Sequence, residues 1–229
     1  MILSAPYDGT STWIKGADKD PAALLEASTK LEFYDIETGS EVYRRGIFTA
    51  EAVTELSTPE KVIAAVRRAV AGLLTQNKFI VTVGGEHSVT VGAVRAYGEK
   101  YKNLSVLQLD AHADLQPVYH GSPYNHGCVM ARVKEVCPIV QVGIRSMSAD
   151  ELPSVEKGRI FMAQDIHDRI DWQARAIKPL TEQVYVTIDL DAFDPSLVPS
   201  TGTPEPGGLL VPDARIFKAG QPRKTDRGF

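Results

Sequence analysis

Cysteine is scarce: the 229 residues hold two, Cys128 and Cys137. So few make neither a disulfide framework nor a zinc-ligand spacing, and a reducing, cytoplasmic setting is expected. A long apolar run is missing too, so no membrane span is expected. The first residues, Met1-Ile2-Leu3-Ser4-Ala5-Pro6, lack a basic segment followed by an apolar one, so no secretory leader is expected. There is no basic excess: 25 Lys and Arg against 29 Asp and Glu leave a net charge of −4, which argues against nucleic acid as a partner. Internal repeats and low-complexity tracts are absent. What remains is 43% hydrophobic and 24% charged, ordinary for a soluble globular protein with one large or two small domains.

The clearest helix begins at Thr58-Pro59-Glu60 and ends at Asn77-Lys78. Val62, Ile63, Val66, Ala69, Val70, Leu73 and Leu74 recur within it at three- and four-residue spacings. Asp20 as N-cap and Pro21 at the first helical position open another, over 22–30. Residues 79–83 read as a buried strand, followed by a helix over about 89–101. Residues 105–109 read as a strand, as do runs within 136–144 and 159–162 and residues 184–188. Helices are expected within 125–135 and 168–178, and residues 32–57 are mixed. Strands alternating with helices imply a mainly parallel sheet covered on both faces, whose ligands bind outside the carboxyl ends of the strands.

Polar residues gather at three such ends. The strand over 105–109 runs into Asp110-Ala111-His112-Ala113-Asp114, the strand over 184–188 into Asp189-Leu190-Asp191, and the strand over 79–83 into Gly84-Gly85-Glu86-His87. In extended chain, alternate residues project to one side. Asp110, His112 and Asp114 then point at one spot, and Asp189 and Asp191 share a face. Four carboxylates and two imidazoles converging on one edge are costly without a cation among them, and this donor set suits a hard divalent ion such as manganese. Six ligands match two ions roughly 3.5–4 Å apart, which activate a water for hydrolysis. His126 is the candidate for proton transfer, since imidazole titrates near neutrality. His120 and His167 are read as surface or core residues, and Asp194-Pro195 as a turn. Gly84-Gly85 is read as a close approach of backbone.

These three segments, extended through Thr187-Ile188-Asp189-Leu190-Asp191-Ala192-Phe193-Asp194-Pro195, resemble the metal signatures of the ureohydrolases, the arginase and agmatinase family. The resemblance spans nearly all of Pro6 to Gly208. It is closest to agmatinase at Tyr124-Asn125-His126-Gly127-Cys128-Val129-Met130 and at Thr201-Gly202-Thr203-Pro204-Glu205-Pro206-Gly207-Gly208. The stretch from Leu115 to Tyr124 lacks the Asn- and Ser-rich string of arginase. The resemblance implies a three-layer α/β/α sandwich around a mainly parallel sheet, as a homo-oligomer. It implies two manganese ions held by His87, Asp110, His112, Asp114, Asp189 and Asp191, with His126 shuttling a proton and Glu205 touching substrate. The implied reaction is attack of a metal-held hydroxide on the guanidinium carbon of agmatine, giving putrescine and urea. Another guanidino substrate such as guanidinobutyrate is the alternative. A dinuclear phosphatase is set aside because no Gly-Asp-x-x-Asp or Gly-Asn-His segment accompanies the Asp-x-His.

After Gly208 the pattern changes. Family members continue with a helix, a strand ending in a guanidinium-binding glutamate, and a final helix. Residues 209–229 contain no glutamate and no β-branched apolar run, and Pro212, Gly220 and Pro222 interrupt any long helix. Five Lys or Arg against two Asp make this stretch basic. Residues 1–208 are therefore expected to form an incomplete ureohydrolase-like domain, with 209–229 as an atypical tail and the sheet without its last strand or strands. A metal-binding fragment with impaired catalysis is the competing expectation.

Overall fold

A computed structural model describes residues 1–219, and they fall into two compact units. The first comprises residues 1–102 and 116–136, the second residues 103–115 and those from 137 onward.

In the first unit, β1 (Ile2–Ala5) lies parallel to β2 (Val81–Gly84), with Ile2 beside Val81 and Ala5 beside Gly84. The mixed segment before the long helix runs along β1: Ile2 N donates to Phe48 O (2.8 Å), Ala50 N to Ile2 O (2.8 Å) and Val53 N to Ser4 O (2.9 Å). Helix α1 (Asp20–Ser28) begins with Asp20 inside its first turn, so the expected cap at Asp20 is not made. Helix α2 (Pro59–Leu74) starts where the sequence places it, with the Thr58 side chain accepting from Lys61 N. Its apolar stripe, including Val62, Val66 and Val70, is buried. Helix α3 (Val89–Lys100) packs on it at backbone distance. A Cβ on Gly92 would meet the Ile63 carbonyl oxygen at 2.5 Å, so only glycine fits there. The short α4 (Val129–Val133) packs on α3, preceded by a 3-10 turn over His126–Cys128.

The strand at 79–83 is not the buried one expected. It begins two residues later, and Phe79 and Val81 are 84% and 45% exposed. Among the described residues β2 pairs only with β1, so its β-branched side chains line an edge rather than a sheet interior.

The second unit is a four-stranded parallel sheet of β3 (Leu104–Leu109), β4 (Ile139–Ile144), β5 (Ile160–Met162) and β6 (Gln183–Ile188), in the order β5-β4-β3-β6. Leu107 and Leu109 of β3 and Val140 and Val142 of β4 form one face of a core. Phe161, Ile166 of α5 (Ala163–His167) and Trp172 and Ala176 of α6 (Trp172–Ile177) complete it. Leu209 and Ile216, the latter opening α7 (Ile216–Ala219), are buried in the same core. The start of the basic segment is thus packed. β6 is an edge among the described residues, and Val184, Val186 and Ile188 are each about two-fifths exposed.

Candidate metal centre

The second unit brings three of the expected ligands together at the carboxyl ends of β3 and β6. Asp110 leaves β3 with its N–H donated to Val142 O at 3.1 Å, so the sheet sets its starting position. Its Oδ1 accepts the His112 N–H at 2.7 Å and its Oδ2 accepts Gln108 Nε2 at 2.7 Å. The His112 ring turns Nδ1 toward two carboxylates, 3.0 Å from Asp191 Oδ2 and 3.7 Å from Asp110 Oδ1. Ligand atoms of Asp110, His112 and Asp191 all lie within 4.8 Å of one another. Asp110 and Asp114 also have oxygens that close together. Asp110 therefore has ligand atoms near Asp114 as well as near the His112–Asp191 pair, so it would be shared if two ions were held here. Two buried carboxylates and an imidazole nitrogen of this spacing fit a hard divalent cation.

The alternation argument holds for Asp110 and His112 but not beyond them. Asp114 has φ +52°, a left-handed conformation that extended spacing does not provide, although Asp tolerates it better than most residues. Asp189 and Asp191 do not share a face of an extended strand. Residues 190–192 form a 3-10 turn, and Asp189 caps it by accepting the Asp191 N–H at 3.2 Å. Asp191 reaches the Asp110 cluster, where its Oδ1 also accepts the Ala111 N–H at 3.1 Å.

Burial works against a charge on His112, but its hydrogen bonds to Asp110 and Asp191 outweigh that and push its pKa up to about 11. The two carboxylates hold a proton on Nδ1, where a cation would otherwise sit.

Several residues around this cluster went unread in the sequence. Gln108 and Gln141 face each other in register across β3 and β4. Gln141 Nε2 donates to Gln108 Oε1 (2.6 Å) and to Ala113 O (2.7 Å), and Gln108 Nε2 reaches His112 O (3.2 Å) as well as Asp110. Both glutamines are buried. Paired, they aim the Asp110 carboxylate and pin the turn after it. Their only sequence signal is a glutamine in the middle of an apolar strand. Glu151, also buried, accepts Leu115 N at 2.8 Å and Ser148 N at 2.6 Å.

Arg145 is a further such residue. Its guanidinium donates to the carbonyls of Gly143 (3.0 Å), Asp191 (2.6 Å), Ala192 (3.3 Å) and Glu205 (2.8 Å). It ties the Asp191 turn to the 201–208 loop and to the end of β4. Glu205 is thus held through its backbone oxygen. Asp194 is a turn residue as expected: its carboxylate accepts from Ser196 N, Gly207 N and Gly208 N, and the Ser196 hydroxyl together with those bonds holds its pKa below the usual range. Arg145→Met should lower unfolding free energy by about 2–4 kcal/mol, since charge-assisted bonds count for more than neutral ones and several carbonyls lose their donor. Urea denaturation followed by tryptophan fluorescence measures it. A loss below half a kcal/mol would mean the clamp is incidental.

The first unit holds the two other candidate histidines, His87 and His126. His87 follows β2 and precedes α3. His126 sits at the 3-10 turn before α4, where the buried Asn125 caps by accepting Gly127 N. Its Nε2 is 2.9 Å from Thr12 Oγ1 and its Nδ1 3.3 Å from Thr10 Oγ1. The loop with those threonines is shaped by Asp8, whose carboxylate accepts from Gly16 N (2.6 Å), Ala17 N (3.2 Å) and the Ser11 hydroxyl. The glycine pair is used as expected at Gly85, where a Cβ would fall 2.3 Å from Tyr7 O. Cys128 and Cys137 are free and buried. No helix among the described residues is long and apolar enough to cross a membrane.

The model of the arginase family matches residues 1–218, ten residues past the point where the motif resemblance fades. The N(1)-aminopropylagmatine ureohydrolase of Synechocystis is 37% identical over 220 residues, covering 91% of this chain and 72% of its own. Its namesake from Thermus thermophilus is 39% identical over 213 residues, covering 91% and 73%. The agmatine ureohydrolase of Thermoplasma volcanium superposes with a TM-score of 0.87 at 31% identity, over 95% of this chain and 76% of that one.

Proposed function

The chain belongs to the arginase family and is a hydrolase with that family's parallel α/β fold, and from this premise we propose that it releases urea from agmatine. The observation that supports this most is the convergence of Asp110, His112 and Asp191 within 4.8 Å at one end of the parallel sheet. Asp110, His112, Asp114, Asp189 and Asp191 are proposed to hold two manganese ions. His87 is added as the sixth ligand on the strength of its motif alone. The bound ions would supply an activated water at neutral pH, held beside the guanidinium carbon. The chain's own contribution is positional: Gln108 and Gln141 fix Asp110, Arg145 fixes the Asp191 turn, and His126 moves a proton to the departing amine. One water adds and the guanidinium C–N bond to the alkyl nitrogen breaks, giving urea and a primary amine. Glu205 is the proposed substrate contact.

A second substrate has support of its own. The Synechocystis and Thermus relatives act, by their names, on N(1)-aminopropylagmatine, a longer cation with the same reacting group. We further infer a cytoplasmic homo-oligomer, the compartment resting on the two free thiols. The test is urea release by the manganese-loaded chain from agmatine, N(1)-aminopropylagmatine and guanidinobutyrate. Urea from either of the first two at matched concentrations supports the reading, with the faster one naming the substrate. Folded protein that takes up manganese and releases none from any would leave a metal-binding protein without turnover.

A further inference from the structure

The surroundings of His126 determine which of its ring nitrogens bears the proton. Glu86 is buried, only 6% exposed, and its Oε1 accepts the Thr10 and Ser88 hydroxyls, each at 2.6 Å. Its Oε2 accepts the Thr10 N–H at 2.6 Å. The single hydroxyl proton of Thr10 therefore points at Glu86. Thr10 Oγ1 has only its lone pairs left for other neighbours. One accepts the His126 backbone N–H at 3.0 Å. The other faces His126 Nδ1 at 3.3 Å. If Nδ1 were bare, two lone pairs would oppose each other there. If Nδ1 carries the proton, the contact is a hydrogen bond and the hydroxyl is used in full, one donation and two acceptances.

We propose that Glu86, acting through Thr10, fixes His126 as the Nδ1–H tautomer and leaves Nε2 as the nitrogen that takes up and returns the proton. Both are positioning residues, and their role in turnover rests on the proposed assignment of His126 to proton transfer. Thr12 is the moving part. Its hydroxyl, 2.9 Å from Nε2, donates while that nitrogen is bare and rotates to accept once it is protonated, so neither state of the ring loses its partner. The step is a proton transfer only: a proton bonds to Nε2 and leaves from it, and Nδ1–H stays intact.

The test reads the imidazole nitrogens directly, by nitrogen-15 NMR of the full histidine-labelled chain at a pH where the ring is neutral. Wild type should show Nδ1 as the protonated nitrogen and Nε2 as the bare one. Thr10→Val should lose that preference and Thr10→Ser keep it. Glu86→Gln is the sharper probe. Its amide can donate to Thr10 Oγ1, freeing the hydroxyl proton for Nδ1, and the ring should then switch to Nε2–H. An amide spectrum like that of wild type certifies each fold, and Thr10→Val decides the matter if Glu86→Gln does not fold. Where the assay turns over, Thr10→Val should lower kcat by about 10²-fold, the lower end for a misplaced general acid or base, with KM little changed. An Nε2–H ring in wild type, or a folded Thr10→Val with wild-type nitrogens, overturns the inference. Absence of urea from wild type counts against the proposed reaction instead and leaves the tautomer result as read.

Discussion

Asp110→Ala is expected to weaken manganese binding by on the order of 10³-fold or more, because losing a direct ligand should exceed the 10–100-fold cost typical of an outer-shell loss. Among the described residues Asp110 is the one shared by the groupings with Asp114 and with His112 and Asp191, so one substitution should empty both positions of a two-ion centre. Asp114→Ala should remove less, because it leaves Asp110, His112 and Asp191 intact. Gln108→Leu is the graded companion. It removes the bond that aims Asp110 Oδ2 but no ligand, and should fall within the outer-shell range. Competition with a fluorescent chelator gives all three affinities, and circular dichroism shows whether each variant is folded. Equal, small losses at Asp110 and Gln108 would sink the idea that Asp110 is a ligand.

That ordering also shows what the sequence could and could not disclose. Asp110 and His112 were readable because a strand is regular: once β3 is placed, the next alternate positions follow. Asp191 was readable as a ligand type but not by the stated geometry, because its segment coils into a 3-10 turn capped by Asp189. Asp114 bends away from extended spacing at φ +52°, and no local pattern announces a left-handed aspartate. The strands themselves were legible as apolar β-branched runs. Their burial was not: β2 and β6 read like interior strands yet lie at edges among the described residues, and edge position is a property of pairing order, which composition does not encode. The supporting residues were hardest. Gln108 and Gln141 look alike to any reader of polarity until β3 and β4 are set in register. Arg145 gives no sign in sequence that it will gather carbonyls from residues 46 to 60 positions away. Glu86 and Thr10 lie 76 positions apart and meet only in the folded first unit. The family match through residue 218 and the burial of Leu209 and Ile216 show that the segment after Gly208 begins as part of the fold. Residues 220–229, the rest of the basic stretch, lie outside the described residues.

The proton on His112 sets the second large effect, a steep dependence of metal affinity on pH. In the folded chain its pKa is pushed up to about 11, from an ordinary value of 6.5. A divalent ion binding at Nδ1 must displace that proton, so the ion at the His112 position releases it. Below pH 6.5 the proton is held in both folded and unfolded chains; above it, only the folded, metal-free chain keeps it. A raised folded pKa stabilises the metal-free fold fully below pH 6.5, and that contribution is lost as pH rises toward 11. Metal affinity moves the opposite way, because the competing proton becomes scarcer. Between pH 6.5 and 9 manganese affinity should rise by about tenfold per pH unit, and the metal-free chain should become easier to unfold in urea over the same interval. His112→Asn removes the exchangeable proton and should flatten the affinity profile, at the expense of weaker binding throughout. Calorimetry in buffers of different ionisation enthalpy counts the protons released at pH 8. About one per ion at the His112 position supports this account, and none, with an affinity indifferent to pH, would mean that the imidazole is neutral and already poised for the metal.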